Sequence, residues 1–562
     1  MAARYAVATG NWSNTATWDG GTLPGPGDTV RPNGFTVTIN QDISVLELRN
    51  DASAPAAEGG KFLTTGTRII TADLRPWASA VILLQTADSS TTTVTGTIYG
   101  NANGGASGAT RTLVTGASST VTINGSVTGA TATTASTMLV GQSSTVTITG
   151  NLTGPTVGAG STVLTSQSSV VNVTGDVTAG SSSSSTTLTL ALAVVATIVG
   201  NVTGGSGNNA SAIRSWSVND WTLSITGAVS GGAGAIASVI DVSGGDGMTV
   251  TINGNVSGGT TAGNNSHGLH VVSSTNASLT VNGNVSASAW LDYGIYLQNL
   301  TTSTIDVTGD LSVTGFASDT SAIYHNGGLT CELTITGDLG AGVNAGMSSL
   351  QVLSSTVTII GDVSMGPAPN RVAPIWFPSG TGSKVDINGH LIATAGATTA
   401  HSIFAFSNTY YNNMAQLRLG GTADFHTLNN VKWGIVLINS TAGFVVEFRN
   451  DDDWPTSLGS TPSYLTKYPV GLPDPDDVRE GTTYGAGGTN TGTLAVPDVG
   501  LVVTGTPVDD TVGTAVLGGV DPALVWTVPL DDLTEGIGAR LKNAATVETT
   551  GAQLAAALDD PA

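Results

Sequence analysis

Eleven copies of one short pattern run through the middle of the chain and decide its fold. The copies are TVTINGSV (120–127), TVTITGNL (145–152), VVNVTGDV (170–177), VATIVGNV (195–202), TLSITGAV (222–229), TVTINGNV (249–256), SLTVNGNV (278–285), TIDVTGDL (304–311), ELTITGDL (332–339), TVTIIGDV (356–363) and KVDINGHL (384–391). The shared glycine recurs from Gly125 to Gly389 with a period of roughly 26 residues, and such a period indicates a repeat architecture in which each unit stacks on its neighbours.

The apolar residues of each copy alternate with polar ones. Counted from the glycine, positions −4, −2 and +2 are Val, Ile or Leu in 32 of 33 cases, and Ala196 is the exception. This period of two predicts a β-strand with one buried face, and the glycine permits a bend that a Cβ atom would obstruct. The expected fold is all-β: a parallel β-helix, or β-solenoid, of about 11–13 coils. Ile148, Val173 and Ile198 should then lie above one another.

The residue after each glycine forms a second column, which is rich in Asn and Asp. One interpretation is a ladder of cation ligands along Asp310, Asp338 and Asp362. The other is a column of turn residues that cap the bend and face solvent, because Asn and Asp are favoured in turns. The turn interpretation is the stronger of the two.

The ends of the chain depart from the repeat and suggest four regions. Residues 1–60, with Trp12 and Trp18, are expected to form a β-rich cap or attachment region, and residues 61–450 the solenoid. The Pro- and Asp-rich stretch 451–480 is typical of a linker. Residues 481–562 are expected to form a small β-rich module that ends in a short helix, because 531–560 is the one clearly helical stretch.

The composition argues against several classes of protein. Charged residues make up 10% of the chain, and 17 Lys and Arg against 39 Asp and Glu give a net charge of −22. Nucleic acid is therefore not an expected partner, because phosphate binding needs clustered cations. The apolar run 188–200 is too short to cross a bilayer, so membrane insertion is not expected. Cys331 is the only cysteine, which excludes an intrachain disulfide.

No catalytic, cofactor-binding or metal-binding motif stands out in the sequence. His267, His270 and His325 are scattered, and a metal site among them is not favoured. Glycan hydrolysis would need two carboxylates within about 5–10 Å of each other. Asp306 and Asp386 occupy outward positions of their strands, but solvated surface acids explain them better. We therefore expect a protein that is not an enzyme and has no cofactor.

Aromatic residues give the sharpest binding hypothesis. Five of them are candidate glycan contacts: Trp216, Trp221, Trp290, Tyr293 and Tyr296. Exposed rings along one flank of a solenoid would stack on sugar faces. The competing interpretation is that these rings cover the solenoid or fill a subunit interface, and it is the favoured one.

Both ends of the chain resemble segments of bacteriophage proteins. The opening MAARYAVATGNWSNTATW (1–18) with PGPGDTV (24–30) is similar to the start of many phage structural and tail-associated proteins. The stretches DVREGTTYGAGGTNTGTLAVP (477–497), GTPVDDTVGTAVL (505–517) and IGARLKNAATVETTGAQLAAAL (537–558) resemble a module of phage tail-fibre and other virion proteins. Together these stretches cover about one seventh of the chain.

This resemblance implies a structural protein on the exterior of a virion, at the tail or head surface. The expected role is a fibre or spike subunit that presents a rigid solenoid to a host-surface glycan or protein. By analogy with phage fibres it would form a homotrimer and contact other virion proteins. The alternatives are a head-attached fibre or capsid decoration protein with a mainly structural role, a polysaccharide-degrading tailspike, and a bacterial surface adhesin.

Overall fold

A computed structural model gives the fold of the chain. It describes residues 2–50, 60–76, 82–102, 111–131, 136–234, 238–259, 266–288, 293–313, 321–327, 331–340, 348–353 and 355–365, and ten isolated strands beyond them. The predicted C-terminal helix (531–560), the predicted linker (451–480) and Trp290 lie outside the described residues. Within the described ranges, the only helical segments are two short 3-10 turns, Thr15–Thr17 and Asp19–Gly21.

The chain is nearly all β and forms a β-solenoid of about 12 turns, which confirms the predicted fold class. Three sheets with parallel pairing build its walls, and 11 coils contribute a strand to each of them. Sheet 1 consists of the strands Ala3–Tyr5, Thr29–Arg31, Ile43–Arg49, Thr67–Arg75, Thr91–Thr95, Thr120–Asn124, Thr145–Thr149, Val170–Thr174, Val195–Val199, Thr222–Thr226, Thr249–Asn253, Ser278–Asn282, Thr304–Thr308, Glu332–Thr336, Thr356–Ile360, Lys384–Ile387, Gln416–Leu419 and Val446–Phe448.

The other two sheets follow along each coil. Sheet 2 begins just after the repeat glycine and consists of Val127–Thr128, Leu152–Thr153, Val177–Thr178, Val202–Thr203, Val229–Ser230, Val256–Ser257, Val285–Ala287, Leu311–Val313, Leu339–Gly340, Val363–Met365 and Leu391–Ala393. Sheet 3 consists of Gly10–Asn11, Thr36–Ile39, Lys61–Thr64, Ile82–Thr86, Arg111–Val114, Met138–Leu139, Ser161–Leu164, Thr186–Leu190, Ser211–Trp216, Ile240–Ser243, Leu269–Val272, Tyr293–Leu300, Ser321–Gly327, Ser348–Leu353, Ile375–Phe377 and Phe404–Phe406.

The core is a set of aliphatic columns that run along the solenoid. Ile148 pairs with Val173, and Val173 pairs with Ile198, so the predicted single file is present. All three side chains are buried. Because buried apolar side chains alternate with outward, mostly polar ones, every strand of this part of sheet 1 buries the same face.

The repeat glycine is required where sheet 1 turns into sheet 2. Gly200 has a φ of +155°, which L-residues rarely adopt, and a Cβ atom on it would lie 2.2 Å from the carbonyl oxygen of Gly175. Gly337 repeats this geometry with the carbonyl oxygen of Gly309, also at 2.2 Å. The glycine column therefore lets backbones of successive coils approach closely at the bend.

The residue after the glycine joins each coil to the next. The backbone N–H of Asp338 donates to Oδ1 of Asp310 at 2.9 Å, and that of Asp362 donates to Oδ1 of Asp338 at 2.8 Å. Earlier coils make the same contact, because the Asp176 N–H donates to Oδ1 of Asn151 at 3.0 Å and the Asn151 N–H donates to Oγ of Ser126 at 3.3 Å. One carboxylate oxygen of Asp310 and one of Asp338 thus accept a hydrogen bond from the backbone of the next coil. This supports the turn interpretation, and it shows that the turn residues also link neighbouring coils.

The amino-terminal end already belongs to the solenoid sheets. Ala3–Tyr5 pairs in parallel with Thr29–Arg31, and Gly10–Asn11 pairs with part of Thr36–Ile39. Trp12 and Trp18 are buried, with ring centroids 4.7 Å apart in an edge-to-face arrangement. These two rings lie at the start of the hydrophobic core.

The C-terminal part of the chain forms a separate unit. The chain divides into Met1–Gly471 and Leu472–Ala562. The described part of the second unit contains two antiparallel strand pairs, Thr483–Tyr484 with Asn490–Thr491 and Pro507–Val508 with Thr511–Val512.

Candidate functional site

The outer side of sheet 3 changes character at Arg214. In the preceding coils the equivalent outward column holds Leu139, Leu164 and Thr189. From there on, six coils place large polar or aromatic residues in the same register. We call this column the polar–aromatic strip: Arg214, Asp241, His270, Tyr296, Tyr324 and Gln351.

A charged triad forms the first half of the strip. Asp241 lies between Arg214 and His270: its Oδ2 is 3.1 Å from Nε of Arg214, and its Oδ1 is 2.8 Å from Nδ1 of His270. Burial acts to raise the pKa of Asp241, but the hydrogen bond and charge of His270, with those of Arg214, outweigh it and hold the pKa below its usual value. Asp241 is therefore an ionised anchor that fixes the positions of both partners.

A stack of rings forms the second half. Tyr296 lies between His267 and Tyr324, with centroid distances of 4.8 and 4.6 Å and interplanar angles of 6° in both pairs. His267 belongs to the preceding coil and Tyr324 to the following one, so neighbouring rings cover both faces of Tyr296. Burial, and to a lesser extent Tyr324, raises the pKa of Tyr296 to about 12. Tyr296 therefore presents its edge and hydroxyl, and not a ring face, to a ligand.

Two residues further along their strands, Gln298 and Asn326 add hydrogen-bonding groups beside Tyr296 and Tyr324. The Tyr296 hydroxyl donates to Oε1 of Gln298 at 3.1 Å. Burial raises the pKa of Tyr324, although a hydrogen bond with Asn326 opposes the shift. Both tyrosines are thus protonated at neutral pH, and amide and hydroxyl groups lie side by side on this side of the sheet.

The five predicted glycan contacts have different environments. Trp216 is 60% exposed, and the Arg214 guanidinium lies 5.0 Å from its ring centroid. Trp221 is 0% exposed and Tyr293 is 7% exposed. Trp221 packs in the core because it lies at an inward corner position, so it offers no surface to a ligand. Tyr293 packs under the stack, at 5.4 Å from Tyr296, and Trp290 lies outside the described residues.

The sequence did not identify Arg214, Asp241 and His270 as neighbours. Asp241 lies one coil after Arg214, and His270 lies one coil after Asp241. This spacing was the signal in the sequence that could have shown them to be neighbours. The histidines, which looked scattered, split into two environments. His267 and His270 have ring centroids 5.4 Å apart, whereas His325 is buried in the core.

Asp241 is the only carboxylate of the strip, so the strip does not hold the pair of carboxylates that glycan hydrolysis requires. Asp306 and Glu332 lie on adjacent coils, but both are exposed on the outer face of sheet 1 and not beside Asp241 on sheet 3. Among the described residues, no group of three His, Cys, Asp or Glu side chains is placed to hold a metal ion. The strip and its neighbours therefore have the chemistry of a binding surface: charge, amides, hydroxyls and one exposed indole.

Comparison with known proteins finds no matching family model, no similar curated protein and no similar solved structure. In the described part of the chain, no helix has the length and apolar character that a membrane span requires.

Proposed function

We propose that this chain is a structural subunit of a bacteriophage fibre or spike. In this proposal its solenoid presents the polar–aromatic strip to a glycan on the host surface. The observation that carries the binding part is the strip itself, six positions in register at which Arg, Asp, His, Tyr and Gln replace the Leu and Thr of earlier coils. The virion part rests on the resemblance of both chain ends to phage proteins.

The chemistry of the strip and of Trp216 and Gln298 beside it suits a sugar better than an apolar ligand. Trp216 offers an exposed indole surface, and a rigid aromatic ring loses little conformational entropy when it binds. The Tyr296 hydroxyl and the Gln298 amide add hydrogen-bonding groups of the kind that orient a polar ligand. These groups stand on paired strands, so the surface is organised before binding.

Weak individual contacts are sufficient for this role. A fibre or spike that carries several copies of the chain makes later binding events intramolecular, and avidity rises without new contacts. Partners would then be further copies of this chain, other virion proteins and a host-surface glycan or protein. A location on the particle exterior follows from the same proposal.

Binding to immobilised bacterial surface polysaccharides tests the glycan contact. We expect Trp216→Ala, beside the strip, to weaken binding of the purified chain about tenfold, equivalent to about 1.4 kcal/mol, and Tyr296→Phe, within the strip, to weaken it less. Thr153→Ala, on the outer face of sheet 2, is the control and should bind normally. Unchanged binding by both Trp216→Ala and Tyr296→Phe would remove this surface from consideration, and released reducing ends would instead favour a polysaccharide-degrading tailspike.

Labelling of phage particles tests the virion assignment separately. Antibodies against the purified chain should decorate fibres or spikes on particles of a phage that encodes it. Label on the head would favour the head-attached fibre or decoration protein, and label on the tail would favour the tail fibre. Particles without label would contradict the assignment.

A further inference from the structure

The outer face of sheet 1 is unusually uniform over eight consecutive coils. The strands from Thr91–Thr95 to Ser278–Asn282 each contribute their first, third and fifth residues to this face, and they pair without a register shift. We call this surface the threonine face, because most of its outward positions hold Thr and the rest hold Asn, Val or Ser.

The threonine face is free of charge in a chain with a net charge of −22. No outward residue of these eight strands is ionisable. Arg68 lies on the coil before the face, and Asp306 lies on the coil after it. Other charges of the same coils lie elsewhere, with Arg214 and Asp241 on sheet 3. Because copies of an acidic chain repel each other, a face without charges lets two copies approach with little repulsion.

The fourth and fifth of the eight coils, in the middle of the threonine face along the solenoid, carry its only aliphatic residues. Val170 pairs with Val195, and Val199 lies on the same strand as Val195, on the other side of Thr197. Val195 is 42% exposed and Val199 is 49% exposed. The outward residues of the other six coils are Thr, Asn and Ser. Apolar contact points in the middle of a surface with polar ends match the usual anatomy of a protein–protein interface.

The size and rigidity of the face also suit a protein partner. Eight strands spaced about 4.8 Å apart, each about 16 Å wide, give a flat area of roughly 600 Å². Specific complexes bury roughly 800 Å² per partner, and smaller contacts occur, so this area lies at the lower end of the range. Thr and Val are β-branched and hold few rotamers, which reduces the entropy lost on packing.

We propose that a second copy of this chain packs on the threonine face, with Val195 and Val199 at the centre of the contact. A two-fold axis through the centre would bring the valines of one copy onto those of the other, which is the geometry of an isologous contact. This inference does not depend on glycan binding, because the polar–aromatic strip lies on sheet 3 and stays accessible. It assigns one wall of the solenoid to assembly and another to ligands.

Sedimentation velocity of the full chain over a range of concentrations tests this inference. We expect the wild-type chain to associate and Val195→Arg to remain monomeric at concentrations at least tenfold higher. Thr222→Arg, one coil further along the same face, should also weaken association. This second variant shows whether the effect extends beyond Val195. Ser243→Arg, on the outer side of sheet 3, is the control that introduces the same charge and should associate normally.

Each outcome decides the proposal. A wild-type chain that is monomeric at all concentrations overturns it, as does normal association of both Val195→Arg and Thr222→Arg. Loss of association in Ser243→Arg as well would show a general charge effect and also overturns it. Circular dichroism and thermal unfolding establish that each variant is folded. Polysaccharide binding by monomeric Val195→Arg separates this result from the fate of the glycan proposal.

Discussion

Sheets 1 and 3 are built from the same coils, yet they differ in regularity. From Thr91–Thr95 to Thr356–Ile360, every strand of sheet 1 has the same length. Over the same coils the strands of sheet 3 range from the short Met138–Leu139 to the long Tyr293–Leu300. A register shift between Gln298 and Leu300 occurs in sheet 3. Sheet 1 thus sets the period of the solenoid, and sheet 3 accommodates the differences in strand length between coils.

This difference separates two kinds of constraint. Sheet 1 is fixed on its inner face by aliphatic columns and at its end by the glycine bend, so its strands cannot change length independently. Sheet 3 tolerates strands of different length and carries the polar–aromatic strip, whose residues are individual rather than repeated. Substitutions in sheet 1 should therefore affect folding most, and substitutions in sheet 3 should have smaller and more specific effects.

The largest effect is expected where sheet 1 bends. Gly200→Ala would place a Cβ atom 2.2 Å from the carbonyl oxygen of Gly175, at a φ of +155°. Steric overlap and backbone strain together should lower the free energy of unfolding by about 4 kcal/mol, measured by urea denaturation. Gly25→Ala is the control, because a Cβ atom there meets nothing within 4 Å. Equal losses in both variants would contradict a special role for the bend.

The next effect compares the two faces of one strand. Ile198→Ala should lower the free energy of unfolding by about 3 kcal/mol, because the side chain is fully buried between Val173 and Ile225. Thr197→Ala, its outward neighbour, should change stability by less than about 0.5 kcal/mol. A large loss in the monomeric Thr197→Ala chain would show that the outer face of sheet 1 also stabilises the fold.

Sheet 3 should make the fold sensitive to acid. His325 occupies an inward position between Leu297 and Val352, and neither ring nitrogen is hydrogen-bonded to any residue that the structure describes. Burial lowers the pKa of His325 from 6.5 to about 4. Between those values the unfolded chain binds a proton that the folded chain does not, so stability decreases as pH falls from 6.5 to 4.

Substitution of His325 isolates its share of this acid sensitivity. His325→Leu should remove about 3 kcal/mol of the decrease between pH 6.5 and 4, the equivalent of the pKa difference. Urea denaturation of both proteins across this pH range is the measurement. Parallel pH profiles for the wild type and the variant would show that His325 is not the responsible group.

The smallest effect is expected in the strip itself. Asp241→Asn removes the negative charge between Arg214 and His270 and leaves the largely buried Arg214 without its counter-charge. We expect a loss of about 1 kcal/mol of stability in thermal unfolding, because the Asn amide can still hydrogen-bond both partners and only the charge is lost. Ser243→Ala, two residues along the same strand, should have no measurable effect. A loss as large as that of Ile198→Ala would make the strip a structural element instead of a binding surface.

The sequence predicted the solenoid because its signal is local and repeated. Positions −4 and −2 from each glycine report burial directly, and Ile148, Val173 and Ile198 stack as expected. The bend at Gly200 followed from the same pattern. The division into two units at Gly471 falls within residues 451–480, the stretch in which a composition shift suggested a linker.

The site was harder to predict because it depends on the exact register of sheet 3. Coil lengths vary, so Arg214, Asp241 and His270 are not equally spaced, and only the pairing of strands aligns them. The sequence also does not show whether an aromatic side chain points into the core or towards solvent. Trp216 is exposed, whereas Trp221 on the same coil is buried, because a corner of the coil lies between them.

The ladder that follows the glycines has a consequence for how stability is distributed along the solenoid. In each pair the side chain of the earlier coil accepts the N–H of the later one, as Asn151 does for Asp176 and Asp176 does for Asn201. Each Asn or Asp of the ladder therefore offers an acceptor to the backbone of the coil that follows it. Ala228 has no such acceptor, so the ladder is interrupted there and resumes where the Asn284 N–H donates to Oδ1 of Asn255. Contacts of this kind join only neighbouring coils, which is how stability is distributed in a repeat protein.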